Sequence, residues 1–196
     1  MALHLFPAPE PRMPLSAIQP SDDAATLYAT LQAELLAGQP VTTLHIGGSH
    51  TTLASGRGEG EPALRSIAIG SRVTAATCFA YASPTEAELQ SAASLIEQAV
   101  IPASAMLAAG SALYTADSGI RQIAIASGLQ AQPEMLLTLQ ELEQTVERVT
   151  AVALGRPAAP DDLPSDPAFA ATLLILRACL RHLGFDRIVI RSDGVV

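Results

Sequence analysis

The chain has 196 residues, a formal net charge of −8 at pH 7, and 49% hydrophobic but only 4% aromatic residues. This length can bury a substantial core of small aliphatic side chains, in one large or two small domains. All eleven basic residues are arginine and form no basic run, so we expect no nucleic-acid partner. No apolar run approaches the ~18–20 residues that span a bilayer, and the first residues lack the pattern of a signal peptide. We therefore expect no membrane contact and a cytoplasmic location.

The chain begins with a proline-rich segment, residues 1–20, which predicts an irregular arm. A helix pattern follows from Asp22 to Leu36, with Ser21 as its N-cap. Asp22 and Asp23 suit the positive end of this helix. We predict that the arm precedes an α/β domain at residues 21–196.

Three consecutive strands are predicted next, at about 41–46, 50–55 and 64–70. Helices and strands alternate after them. The first is a helix opened by Ser83-Pro84-Thr85-Glu86, with the proline in its first turn, that runs to about Ala108. A strand at Ser111 to Ala116, a helix to Ser127 and a helix that is capped by Thr138 and ends near Gly155 follow. After a loop to Pro167, the chain is predicted to form a helix from Ala168 to Leu183, ended by Gly184, and a strand at Arg187 to Ile190. This order predicts a ribonuclease-H-like domain with a mixed sheet of about five strands, flanked by helices.

A glycine turn, Gly47-Gly48, joins the first two strands. Glycines at a tight turn let backbone N–H groups approach an anion together. The alternative is an ordinary β-hairpin with no ligand. His45 and His50 flank the turn, but a zinc site needs three or more ligands and no nearby Cys or Asp completes one. We interpret both histidines as polar residues at a solvent-facing turn.

The run from His45 to His50 resembles the Asp-Ile-Gly-Gly-Gly-Ser phosphate loop of the exopolyphosphatase/guanosine pentaphosphatase family, in the actin–hexokinase–Hsp70 superfamily. Three residues depart from that loop: His45 replaces the aspartate, Ser49 the third glycine and His50 the serine. Further segments resemble the family in the same order, namely Leu64 to Gly70, Asp117 to Ala124, Leu137 to Glu143, Leu183 to Ile190 and Ser192 to Gly194. The resemblance covers about residues 40–194 and is to the second domain of the family alone.

This resemblance implies a phosphate site built from two glycine loops. Its candidate residues are Gly47, Gly48, Ser49, Ser118, Gly119 and Arg121. Mg²⁺ is the cofactor expected if phosphate is bound, although no residue is predicted to be a metal ligand. No catalytic residue is predicted either, because His45 replaces the metal-bearing carboxylate and nothing in the chain is a candidate to position the attacking water. Asp117, where the family has glycine or another small neutral residue, would repel phosphate unless a divalent cation bridges the two.

Two hypotheses follow. The first is a degenerate, non-catalytic domain that acts as a binding or interaction module, with weak phosphate or nucleotide binding. The second is a residual phosphoanhydride hydrolase, acting on polyphosphate or guanosine pentaphosphate, that needs a second domain or chain to complete its site. A lone copy of the domain would leave an apolar surface to be covered by a protein partner or by a homodimer. The candidate contact residues are Ile120, Ile123, Leu129 and the helix from Ala168 to Leu183.

Overall fold

The computed structural model describes residues 23–35, 38–58, 60–81, 83–155 and 163–192. The predicted arm at residues 1–20, the predicted N-cap Ser21 and the segment after Ser192 lie outside the described residues. The elements, in chain order, are α1 (Asp23–Glu34), β1 (Pro40–Ile46), β2 (Thr51–Arg57), β3 (Ala63–Ile67), α2 (Ser71–Cys78), α3 (Glu86–Val100), a 3₁₀ helix (Ile101–Met106), β4 (Ala112–Thr115), α4 (Ser118–Ala126), β5 (Glu134–Thr138), α5 (Leu139–Ala153), α6 (Pro167–Leu183) and β6 (Arg187–Arg191).

One six-stranded mixed sheet, in the order β3-β2-β1-β4-β6-β5, organises the fold. The pairs β1–β2, β2–β3 and β5–β6 are antiparallel, whereas β1–β4 and β4–β6 are parallel. The carboxyl ends of β1, β4 and β6 therefore lie at one edge of the sheet. This edge carries both glycine loops, because one loop follows β1 and the other follows β4.

The main core lies on one face of the sheet. Leu44, Ile46, Leu113, Ile188 and Ile190 belong to it, together with residues of the central helix α6, which contacts α2, α3, α4 and α5. Burying this apolar surface is the main stabilising term of the fold. None of the helices in the described ranges is long and apolar enough to cross a membrane.

Helix α1 packs on the opposite face of the sheet, because the side chains of a strand alternate between faces. Its residues Ala24, Tyr28 and Leu31 form a separate small cluster with Val41 of β1 and Ala54 of β2. The Thr43 hydroxyl also donates to the Ala24 carbonyl, at 2.7 Å. Helix α1 is thus held independently of the main core.

Several local predictions are confirmed. Thr138 is the N-cap of α5 in a capping box with Glu141, and Gly184 ends α6 in the left-handed conformation, with φ 79°. The proline of the α3 start lies elsewhere than predicted, because Thr85 is the N-cap and Pro84 precedes it. Helix α3 also ends at Val100, and the chain continues as a 3₁₀ helix.

The sheet has one strand more than the sequence predicted. Strand β5 was not predicted, and it pairs with β6 over its full length. Helix α2 was also missed. It begins at Ser71, immediately after the end of the predicted third strand, and the strand itself ends earlier than predicted, at Ile67.

Most of the predicted contact residues for a partner lie inside the chain. Ile120 and Ile123 are completely buried, and twelve residues of α6 are buried. These side chains stabilise the chain itself and are not available to a second protein, whereas Leu129 is only partly buried and stays a predicted contact residue. A homodimer remains a proposal, but its contact surface would not include these buried side chains.

Both cysteines, Cys78 and Cys179, are free thiols. Cys78 is half-buried, whereas Cys179 of α6 has no exposed surface. Burial raises the pKa of Cys179 to about 12, because the thiolate would be charged in an apolar core. Cys179 is therefore a core packing residue and not a nucleophile.

Candidate functional site

A cleft of about 660 Å³ lies between α1 and the carboxyl ends of β1, β4 and β6. Open α/β sheets bind ligands at this edge. The lining is mostly polar and comprises Asp23, Thr26, Leu27, Thr30, Glu34, Leu44, His45, Ala116, Asp117, Ser118, Arg191 and Ser192. The cleft is therefore the candidate site of the fold.

His45 lies between two carboxylates at one end of this cleft. Its Nδ1 contacts Oδ1 of Asp117, and its Nε2 lies 3.2 Å from Oδ2 of Asp23. The second oxygen of Asp117 accepts the backbone N–H of Ile46, at 2.6 Å. The His45 and Asp117 side chains are only 19% and 11% exposed, whereas that of Asp23 is 64% exposed. Three segments of the chain, α1, β1 and the β4–α4 connection, meet at this group.

The pKa of His45 is raised above its ordinary value. The hydrogen bond to Asp117 is the largest cause, burial opposes it, and the charges of Asp117 and Asp23 raise the pKa further. The environment thus favours the imidazolium, which donates from both ring nitrogens. Chemically, the arrangement can hold and release a proton.

Asp117 precedes α4 and is its N-cap residue, but its side chain does not cap the helix. Its N–H donates to the Thr115 hydroxyl at 3.1 Å, and its carbonyl accepts from Arg121 N at 2.9 Å. These backbone bonds turn the carboxylate away from α4 and towards β1. The second glycine loop is consequently joined to the first by the His45–Asp117 contact.

The Gly47-Gly48 turn is a tight hairpin tip that also starts α2. Gly47 N donates to His50 O at 2.9 Å, and the Gly47 carbonyl accepts from Ser71 N at 2.9 Å. The Gly48 carbonyl accepts from the next two amides of α2, at 3.0 Å each. A Cβ at Gly48 would lie 2.4 Å from Nε of Arg72, so the Arg72 guanidinium lies against the turn and a larger residue at Gly48 would displace it.

The structure brings most of the predicted phosphate-binding residues to one edge of the sheet. Gly47, Gly48 and Ser49 form the hairpin tip, and Ser118 and Gly119 begin α4.

Arg121 points elsewhere. Its Nη2 donates to the carbonyl of Gln132 at 2.6 Å, in the segment before β5. The assignment of all six residues to phosphate stays a prediction.

The interpretation of His45 as a residue of a solvent-facing turn is wrong. His45 is the penultimate residue of β1 and is shielded by Asp23 and Asp117. His50, in contrast, is exposed at the hairpin tip and bonds the Ser49 hydroxyl through Nδ1, at 3.0 Å.

Asp23 is the site residue that sequence reasoning missed, since it was given only a helix-end role. The sequence signal that could have indicated its role is its position in the first turn of the helix that immediately precedes β1.

The carboxylates of this site do not form a metal centre. Asp23 and Asp117 approach different nitrogens of one imidazole ring, so their oxygens do not converge on a common point. Elsewhere in the described ranges, no group of three or more His, Cys, Asp or Glu residues has the arrangement to hold a metal ion.

Comparison with solved structures shows the fold. The crystal structure of the Aquifex aeolicus Ppx/GppA family member matches with a TM-score of 0.69 and 16% identity, over 89% of this chain and 59% of that one. An exopolyphosphatase from Cytophaga hutchinsonii matches with a TM-score of 0.65 and 13% identity, over 87% of this chain and 59% of that one. The 196 residues thus span about three-fifths of these relatives.

The predicted fold class and the predicted family are both confirmed. No curated protein sequence matches this chain. The sequence model described as the Ppx/GppA phosphatase family, however, matches residues 9–196, nearly the whole chain. The chain belongs to the Ppx/GppA phosphatase family.

Proposed function

We propose that this chain is a non-catalytic binding or interaction module with a degenerate phosphate site. One observation carries the proposal: the Asp117 carboxylate takes the Ile46 amide and the His45 ring where the two glycine loops meet. An internal acid–base pair therefore occupies the groups that would otherwise face an anion between these loops. The chain's negative net charge supports the same conclusion.

Electrostatics oppose phosphate at this position. Even when His45 is protonated, Asp23, His45 and Asp117 together carry a formal charge of −1. A phosphate oxygen about 4 Å from an unscreened carboxylate would be repelled by about 4 kcal/mol at an effective dielectric constant of about 20. That repulsion exceeds the ~1.5–3 kcal/mol of a single charge-assisted hydrogen bond from the turn.

Hydrolysis of a phosphoanhydride needs a cation near the phosphates and an oriented water. His45 stands where the family's carboxylate would be, and the nearby acids are engaged with its ring. We therefore place the function in binding, with a second protein or a second copy of this chain as the partner and the cytoplasm as the location.

The alternative is a residual hydrolase of polyphosphate or guanosine pentaphosphate, completed by a further domain or chain and using Mg²⁺. Two observations favour it: the family match, and the Arg72 guanidinium that lies against Gly48 at the hairpin tip. The family resemblance also places the substrate between two domains, whereas this chain spans only about three-fifths of the solved relatives.

An activity assay separates the two. We expect the purified chain, with Mg²⁺ or Mn²⁺, to release no phosphate from polyphosphate or guanosine pentaphosphate above background, because the carboxylates of the described site are engaged with the His45 ring and not with a metal ion. Turnover that is abolished in Gly48→Val and retained in Ala131→Val, a control in an exposed loop, would instead support the hydrolase.

A binding titration tests the role of Asp117. We expect inorganic phosphate to bind the native chain no more tightly than the millimolar range, about −4 kcal/mol. Asp117→Asn, which removes the repelling charge and keeps the shape, should bind at least about tenfold more tightly.

Asp186→Asn is the matched control, because its side chain is 81% exposed and lies in the turn before β6. Chemical-shift changes of the Gly47-to-His50 and Ser118–Gly119 amides report the binding. Equal affinities in the two variants, or micromolar affinity in the native chain, would contradict the proposed role of Asp117.

A further inference from the structure

Helix α1 has two stripes of side chains, of which one packs against the sheet and the other lines the cleft. Ala24, Tyr28 and Leu31 are buried against β1 and β2, and the spacings of four and three residues place them on one side of the helix. An adjacent stripe, Asp23, Leu27, Thr30 and Glu34, lines the cleft. Moving α1 away from the sheet would therefore open the cleft along its whole length.

Ion pairs fasten both ends of α1 to the edge of the sheet. Asp23, the first residue, contacts His45 of β1, and Glu34, the last residue, contacts Arg191 of β6. Between these ends only three side chains of the helix are buried. An element with so few buried contacts opens at a lower free energy than the main core.

We propose that α1 is a pH-sensitive strap over the cleft, which undocks more readily as the pH rises because the Asp23–His45 clasp weakens. The Glu34–Arg191 clasp contains no histidine and does not contact His45, so the proton on His45 does not act on it directly. One end of the strap is thus responsive and the other is constant.

The direction follows from the proton on His45. At low pH the imidazolium donates to Asp117 through Nδ1 and to Asp23 through Nε2. When the ring loses a proton, the Nδ1–H stays with Asp117, and the Nε2 lone pair then faces the Asp23 carboxylate. The contact with α1 becomes repulsive while the contact with Asp117 persists.

Linkage gives the pH window. The pKa of His45 is raised, and the charge of Asp23 is one of the causes. Asp23 raises this pKa only while α1 is docked, because undocking takes its carboxylate away from the ring. Docking therefore binds protons, so its extra stability is present below the undocked pKa and lost as the pH rises through the docked pKa, above the ordinary histidine value of about 6.5.

Two elements packed against His45 place a charged side chain on its ring. Asp23 faces the ring from α1 and Asp117 from the β4–α4 connection. The cross-strand neighbour on β2 is Thr52, which is uncharged. Among the described residues, Glu34 and Arg191 are the other charged residues lining the cleft, and they contact each other.

Hydrogen exchange of the full chain tests the strap. Protection of the α1 amides is measured relative to α6 amides of the same molecule, at about pH 6 and about pH 9, after correction for intrinsic exchange rates. We expect the opening of α1 to increase about threefold, the scale of a partly exposed ion pair, while α6 stays unchanged.

Four variants make the test specific. His45→Gln and Asp23→Asn should each abolish the pH response of α1. Arg191→Gln should increase opening by the same factor at both pH values. His182→Gln removes another histidine–carboxylate pair, with Glu97 at 3.4 Å, and should respond like the native chain.

Constant α1 protection between the two pH values in the native chain would overturn the strap. A pH response that survives in Asp23→Asn would also overturn it. If His45→Gln fails to fold, Asp23→Asn alone tests whether the contact between Asp23 and His45 causes the pH response.

Discussion

Leu176→Ala should lower the free energy of unfolding by about 2–5 kcal/mol, the cost of deleting a buried leucine and leaving a cavity. Leu176 has no exposed surface and lies in α6, which contacts four other helices. Little of the cavity can collapse, because the surrounding packing is shared by several elements. Urea denaturation followed by circular dichroism measures the loss, and the melting temperature should fall by about 5–20 °C.

Leu95→Ala is the matched control for this prediction. Leu95 is also a helical leucine, in α3, but it is 46% exposed. We expect a change within about 0.5 kcal/mol. Similar losses in the two variants would mean that α6 is not the centre of the core.

Gly70→Ala should destabilise the chain by about 1–3 kcal/mol, although it adds a single methyl group. The new Cβ would lie 2.6 Å from the backbone C and N of Ser49 and 2.7 Å from the carbonyl oxygen of Gly47. Backbone atoms cannot move aside as a flexible side chain can. The hairpin tip must therefore shift, and its bonds to the first amides of α2 weaken. Thermal unfolding measures the cost, and amide chemical shifts of Gly47 to His50 locate it.

Gly119→Ala provides the opposite case. Its added Cβ would meet only a Thr172 methyl, at the ordinary distance of 3.8 Å, within the first turn of α4. Replacing a helical glycine by alanine reduces the entropy of the unfolded chain, so stability should rise by about 0.5–1 kcal/mol. A Gly70 variant as stable as the native chain would refute the close approach of the two loops.

The elements that could be predicted from the sequence carry local signals. Thr138 with Glu141, and Gly184 after an apolar run, mark a helix start and a helix end through contacts within a few residues. Helix α2 and strand β5 carry weaker local signals. Strand β5 is five residues long and depends on β6, about fifty positions later in the chain, for its hydrogen bonds. Long-range pairing of this kind leaves little trace in a short window.

The candidate site likewise has one part that could be predicted from local sequence motifs and one part that could not. The two glycine loops were recognisable as motifs, and the order of strands puts them at one edge. The Asp23–His45–Asp117 group was not predictable, because it depends on where α1 crosses β1 and on the direction of one carboxylate. Arg121 shows the converse, since its place in a motif suggested a ligand whereas the fold turns its guanidinium towards Gln132.

The position of β6 in the sheet has a consequence for biosynthesis. Among the described strands β6 is the last to be translated, yet it lies between β4 and β5. A ribosome adding ~5–20 residues per second must first produce α5 and α6, and for several seconds the nascent chain has β5 without a neighbour and one edge of β4 uncovered. Open strand edges are templates for association between chains. Nascent chains of this protein are therefore more exposed to aggregation than fully synthesised ones. A chaperone that shields β4 on the ribosome would protect the chain at this stage.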